Sequence, residues 1–303
     1  MVKYTSILND EAFKVILTNP SNKDLLILLL EFLLPGKKIR TLTLDDKEQH
    51  GLSISDKNCT FDVYCTTDTK ERLIIEMQFE AQASFQDRML YYSTYPIRSQ
   101  IIERSMKLKE GRPHKGRAKM DYRLDPVYVI SFLNFQLRHD SGETLDDNGL
   151  VSRYEIRNGR SGELMTRALN FVFVELGRLK FGPDEKDKCR NLHEQLAFSL
   201  KYGHLLKERP EGFDDPLLRR LFDATDYAMM SDEQQQIINQ IMTTEIDIIA
   251  RRDYAIEEGR AEGRAEGLAK GKAEIAKKML EDKVDPGFIT KYTGLSEEEI
   301  LRL

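Results

Sequence analysis

The chain has no tryptophan, and only three cysteines and five histidines among its 303 residues. Cys59, Cys65 and Cys189 have neither metal spacing nor an even number, so a disulfide framework is excluded. They read as reduced thiols of a cytoplasmic protein. The histidines form no HxxxH pair and no cluster with cysteine, so a zinc site is not expected. Long apolar runs are missing too. The richest, residues 25–34, is too short to span a bilayer and is interrupted by Glu31, so it reads as a buried helix. The opening residues, MVKYTSILNDEAFK, lack the apolar stretch of a secretory signal. The expectation is a protein of the cytoplasm with no membrane segment. A positive excess is also absent: 46 Lys and Arg against 51 Asp and Glu leave a net charge of -5. Any nucleic acid must therefore be met by a local basic patch.

What the chain does have is a hairpin signal over residues 60–78, TFDVYCTTDTKERLIIEMQ. Two runs rich in β-branched and aromatic residues flank a polar turn. Alternation puts Phe61, Val63, Cys65, Leu73, Ile75 and Met77 on an apolar face. Asp62, Tyr64, Glu76 and Gln78 fall on the other face. A turn centred near Thr69 sets Asp62 opposite Glu76. Like charges so opposed destabilise a strand pair, and a hard divalent cation would remove the repulsion. A hairpin whose acids simply face water is the alternative at this point.

Asp62 followed by Glu76-x-Gln78 on the next strand resembles the PD-(D/E)XK nuclease core, with Gln78 where most members carry Lys. Together with the RMLYYSTY segment and the C-terminal repeat, the motif resembles the recombination-promoting nuclease and transposase branch of that superfamily. The resemblance implies an α/β fold with a restriction-endonuclease-like core, α-β-β-β-α-β, whose mixed sheet is flanked by helices and followed by a helical C-terminal region. It implies a metal-dependent DNA endonuclease acting in recombination, mobile-element or defence processes. Mg²⁺, or else Ca²⁺ or Mn²⁺, would be held by Asp62, Glu76 and the Met77 carbonyl; Glu31 either joins them as the acid from the first core helix or lies on the one wet stripe of that helix. Gln78 would orient the attacking water, and Arg88 would supply the missing positive charge. Arg88 and Tyr92 match the Arg-x-x-x-Tyr pattern, and Gln100 matches a later Gln. The competing reading is a catalytically weak or inactive DNA- or partner-binding module, which the Gln at position 78 keeps open.

The rest of the chain reads in order. Asp10 is expected to cap a helix over EAFKVIL, and Ser21 or Asn22 a second over NKDLLILLLEFLLP, stopped by Pro35-Gly36. Residues 39–44 alternate as a strand. Residues 85–107 have helical period, with a kink expected at Pro96. Residues 107–119 form the densest basic stretch, with Lys107, Lys109, Arg112, Lys115, Arg117 and Lys119 in a Gly- and Pro-containing loop suited to phosphates. PVYVISFLNF reads as a central buried strand and LNFVFVEL as another. Residues 138–162 read as a polar loop, and Glu175 as a structural acid. Helices fill the chain from residue 184 on.

In the tail, Gly259, Gly263, Gly267 and Gly271 recur every four residues. Each costs a lone helix about 1 kcal/mol against Ala, which predicts either fraying or a partner. A homodimer through this tail is expected. A small helical pair with a Ser296–Glu299 capping box closes the chain, read as a spacer or oligomerisation element. The expected divisions are 1–182, 183–250 and 251–303.

Overall fold

A computed structural model describes residues 3–45, 48–49, 59–110, 122–138 and 149–302. The contacts divide it into two compact units, residues 1–238 and 239–303. Among the described residues no helix is long and apolar enough to cross a membrane.

The first unit is an α/β structure around a mixed six-stranded sheet. Its strands are β1 (Leu42–Leu44), β4 (Val63–Thr67), β5 (Arg72–Gln78), β6 (Val127–Leu133), β7 (Val151–Glu155) and β8 (Leu169–Glu175), in the order β1-β4-β5-β6-β8-β7. A separate pair joins β2 (Glu48–Gln49) to β3 (Cys59–Thr60). The β4 strand lies antiparallel between β1 and β5; β5, β6 and β8 run parallel, and β7 lies antiparallel on β8. Parallel neighbours need a crossover, and α3 (Phe85–Glu110) supplies it between β5 and β6. The α-β-β-β-α-β order expected from the sequence is present. The edge strand β7 is an addition. VSRYE has too little apolar content to signal a strand, and its pairing to β8 decides its conformation.

Both faces of the sheet are covered. Helix α1 (Asp10–Leu17) lies on one, where Phe13 meets Phe132 with ring centroids 5.7 Å apart. Helix α3 lies on the other, with Phe85 and Met89 packed among Tyr64, Ile74, Val129, Leu133 and Phe173. The face expected to be wet is therefore dry: Tyr64, Glu76 and Gln78 are all buried. Phe61 also departs from the alternation. The chain bends at Asp62, before β4 begins, and Phe61 turns to the α3 side against Tyr64, Tyr92 and Tyr95.

The α1 cap is Asn9 rather than Asp10. Its side chain accepts from the N–H groups of Glu11 and Ala12, which leaves the Asp10 carboxylate uncommitted to the cap. Helix α2 (Lys23–Leu33) buries Leu25, Leu26, Leu29, Leu30 and Leu33 and ends before Gly36, whose φ of 81° suits glycine. Helices α4 (Leu192–Tyr202) and α5 (Pro216–Thr225) pack on each other, and α5 also packs on α2.

Helix α3 continues through Pro96 as one element. Gln100 is buried, four residues on. Its amide donates to the Asp125 carbonyl at 3.1 Å and accepts from the Asp125 N–H at 2.8 Å. Arg104 pairs with the Asp125 carboxylate at 2.8 Å. Helix and incoming strand are thereby clasped on either side of residues 111–121. Arg112, Lys115, Arg117 and Lys119 lie outside the described residues, as do the side chains of Lys107 and Lys109.

In the second unit, the end of α6 (Asp232–Glu281), α7 (Pro286–Thr293) and α8 (Glu297–Leu301) close around Ala276, Ile289 and Ile300. The Ser296–Glu299 capping box is present, and Gly294 takes the left-handed conformation that ends α7. A Cβ at any of the four repeat glycines would meet nothing within 4 Å.

Candidate active site

The register Val63↔Ile75 and Cys65↔Leu73, carried one residue beyond β4, sets Asp62 opposite Glu76. Two hydrogen bonds fix the pair. The Asp62 N–H donates to Glu76 Oε1 at 3.2 Å, and the Met77 N–H donates to Asp62 Oδ2 at 2.8 Å. Each acid thus binds the other strand's backbone, and the two carboxylates are held together under cover. Both residues are buried.

The electrostatics follow from that burial. Loss of solvent pushes the Asp62 carboxyl up, partly offset by the Met77 N–H and the Lys14 ammonium. Glu76 is driven well above the usual carboxylate range, first by burial and next by the charge of Asp62. Asp10, at the start of α1, is pushed up to about 6, first by the protein crowding its carboxyl and then by Asp62. Part of Asp10 still reaches solvent.

Two cations flank the acids. Lys14 Nζ lies 3.4 Å from Asp62 Oδ1 and 3.2 Å from Glu11 Oε1. Arg88 donates to Gln78 Oε1 and, at 2.7 Å, to Gln82 Oε1; its guanidinium lies 5.9 Å from the Tyr92 ring centre. Its Nε is buried without a partner. Gln78 Nε2 donates to the Met77 carbonyl at 2.8 Å. Both ends of the Gln78 amide are thus engaged by protein. Tyr92 packs edge-on against Phe61 and supports the hairpin.

The fold brings Asp62, Glu76, Met77, Gln78, Arg88 and Tyr92 into one region, but it gives two of the expected residues other surroundings. Glu31 accepts from the Ile39 N–H at 2.8 Å and pairs with Lys38 at 3.4 Å; none of these contacts involves Asp62 or Glu76. It tethers the chain leaving α2. On α1, Asp10 and Lys14, one turn apart, interact with Asp62. Sequence alone carries no sign of them, because their relation to Asp62 exists only once α1 lies on the sheet. Gln100 serves the Asp125 clasp.

The donor set suits a hard cation in its chemistry. Two carboxylates converge, and the Met77 carbonyl, though it accepts from Gln78, keeps a second lone pair. Among the described residues no three Asp, Glu, His or Cys side chains form a metal cluster.

Comparison with known families agrees with the architecture. The family model described as PD-(D/E)XK nuclease family transposase matches residues 7–255. A second, for the C-terminal HTH domain of the Rpn/YhgA-like nuclease family, matches residues 269–303. The end of the chain, expected to be a spacer or oligomerisation element, is thus similar to a helix-turn-helix domain from residue 269. No curated protein and no solved structure matches. The first match spans the sheet, its covering helices and the Asp62–Glu76 pair, and on that extent the chain belongs to the PD-(D/E)XK nuclease family transposases.

Proposed function

We propose that the protein is a metal-dependent DNA endonuclease whose centre is Asp62 and Glu76. The observation that supports this most is the buried, hydrogen-bonded juxtaposition of two carboxylates across β4 and β5, an arrangement that costs the fold stability in the absence of a cation. Asp62, Glu76 and the Met77 carbonyl would hold Mg²⁺ or Mn²⁺; a bound dication lowers the pKa of its water and offsets charge on the phosphate. The Met77 N–H keeps Asp62 aimed at Glu76. Gln78 and Arg88 form a rigid polar wall beside the pair, and Arg88 brings positive charge to Glu76. The test is incubation of the purified full chain with supercoiled plasmid, with and without Mg²⁺, Mn²⁺ or Ca²⁺. Intact plasmid in every metal would refute the proposal.

A second reading is a DNA-binding module with little or no activity. It is favoured by the neutral amide at position 78, whose nitrogen and oxygen are each already held by a protein partner. The same assay decides: retarded but uncut DNA, with metal binding absent by calorimetry, supports this reading.

DNA contact is assigned to the basic segment and to the helix-turn-helix unit, the class of fold that presents a helix to a groove. Replacing Lys115, Arg117 and Lys119 with Gln weakens binding evenly across sequences. It flattens the slope of log affinity against log salt by about one unit for each phosphate that is no longer neutralised. An unchanged slope in retardation assays removes this segment from the interface. We also propose a homodimer through residues 257–280, where the stripe of glycines leaves room for another backbone. A chain ended after Arg252 then scatters light as a monomer; one still dimeric moves the interface elsewhere.

A further inference from the structure

A site built on two buried carboxylates and meant for a phosphodiester has a charge problem. Position 78 carries a neutral amide, and that amide is tied to Arg88 and to the Met77 carbonyl. Arg88 brings charge to Glu76 from the α3 side, with its two terminal nitrogens bonded to Gln78 and Gln82 rather than to Asp62. Lys14 is placed differently. Its side chain and that of Asp62 are only 20% and 10% exposed, so their contact is shielded from water. Its other partner, Glu11, is 65% exposed, and such a pair contributes little. The Lys14 charge acts on Asp10, Asp62 and Glu76 together. An ammonium has three donors; two face Glu11 and Asp62, and one is left for an incoming oxygen. The aliphatic stem anchors on α1, whose Phe13 is locked against Phe132 of the sheet. The head is therefore held by the same packing that holds the fold.

We propose that Lys14 is the positioning cation of this site: brought by α1, its ammonium holds the Asp62 carboxylate in place beside Glu76 and provides the positive charge that position 78 lacks. This rests on the nuclease reading and deepens it. The consequence has two opposite signs. A fixed ammonium beside Asp62 repels a dication, so it weakens metal binding. The same ammonium attracts the phosphate's charge, so it favours the reaction. A merely structural ion pair would not produce that combination.

The experiment compares the full-length wild type with Lys14→Met, which keeps the stem and suits a helix, and with Lys14→Arg, which keeps the charge. Calorimetry with Mn²⁺ alone is expected to show Lys14→Met binding about tenfold more tightly than the wild type. Plasmid cleavage by Lys14→Met is expected to fall roughly a hundredfold in kcat, with KM little changed. Lys14→Arg is expected to recover most of the rate. Circular dichroism checks the fold, and should Lys14→Met fail to fold, Lys14→Gln takes its place. Equal Mn²⁺ affinity, or undiminished cleavage, or an Arg variant no better than Met, overturns the proposal. If the wild type leaves DNA whole, the nuclease reading fails while calorimetry still decides whether the Lys14 charge reaches the carboxylates.

Discussion

Glu76→Gln and Asp62→Ala each lower metal-dependent plasmid cleavage by at least roughly a thousandfold, and Glu76→Gln does not weaken the fold at neutral pH. The first half follows from the roles proposed for the pair; the second follows from its electrostatics. The Glu76 carboxyl titrates well above its ordinary value of 4.5 in the folded protein, through burial and the neighbouring Asp62 charge. The folded state therefore binds this proton more tightly than the unfolded chain does. Below about pH 4.5 the group is protonated in both states, and Glu76→Gln matches the wild type. As pH rises beyond that value, the wild type is penalised for each fraction of charge and the variant is not. The stability gap measured by urea denaturation in chelator thus opens upward with pH, in the variant's favour. Added Mn²⁺ closes it by stabilising the wild type alone. A Glu76→Gln variant that loses stability at neutral pH, or either variant that still cuts, refutes the assignment.

Glu175→Ala produces the largest loss of stability, about 3–5 kcal/mol, because it removes one partner of a buried ion pair. The Glu175 side chain is fully buried at the end of β8. It accepts from the Leu137 N–H at 2.8 Å and from Ser152 Oγ at 3.1 Å, and it pairs with Arg178 Nε at 2.8 Å. Arg178 also donates to the Leu137 carbonyl at 3.0 Å. One carboxylate thus ties the chain leaving β6 to β7 and to the turn after β8. The turn sits close: a Cβ on Gly177 would collide with the Phe135 backbone. A fall in Tm of about 10 °C is expected, with cleavage at low temperature retained, since none of these contacts involves Asp62 or Glu76. A Tm within about 2 °C of the wild type would show that the network contributes little, by the same scale.

Much of this fold is legible in the chain. The turn at residues 67–71 and the periodicity of its arms place Asp62 opposite Glu76 without coordinates, and PVYVISFLNF declares itself a strand covered on both faces. What stays hidden depends on third parties. Polarity at Tyr64, Glu76 and Gln78 predicts water, yet all three are buried, because alternation along one strand carries no information about what lies above it. The strand β7 is formed by pairing to β8 rather than by its own residues. Asn9 in place of Asp10 as the cap is a shift of one residue, but it decides whether Asp10 is consumed locally or faces Asp62. Glu31 in an apolar helix suggests a buried acid, whereas it sits near the helix end, where the next segment supplies Ile39 and Lys38.

The Gln100–Asp125 clasp has an evolutionary consequence. It closes a ring across 25 residues and pins both ends of the intervening segment. Doubling the length of such an insert costs about 0.6 kcal/mol in closure entropy, far less than disturbing the sheet. Substitutions, insertions and exchanges between relatives can therefore accumulate there at little expense to the chemistry. Under the proposed function such changes would alter how strongly the chain holds nucleic acid while the Asp62–Glu76 pair stays as it is.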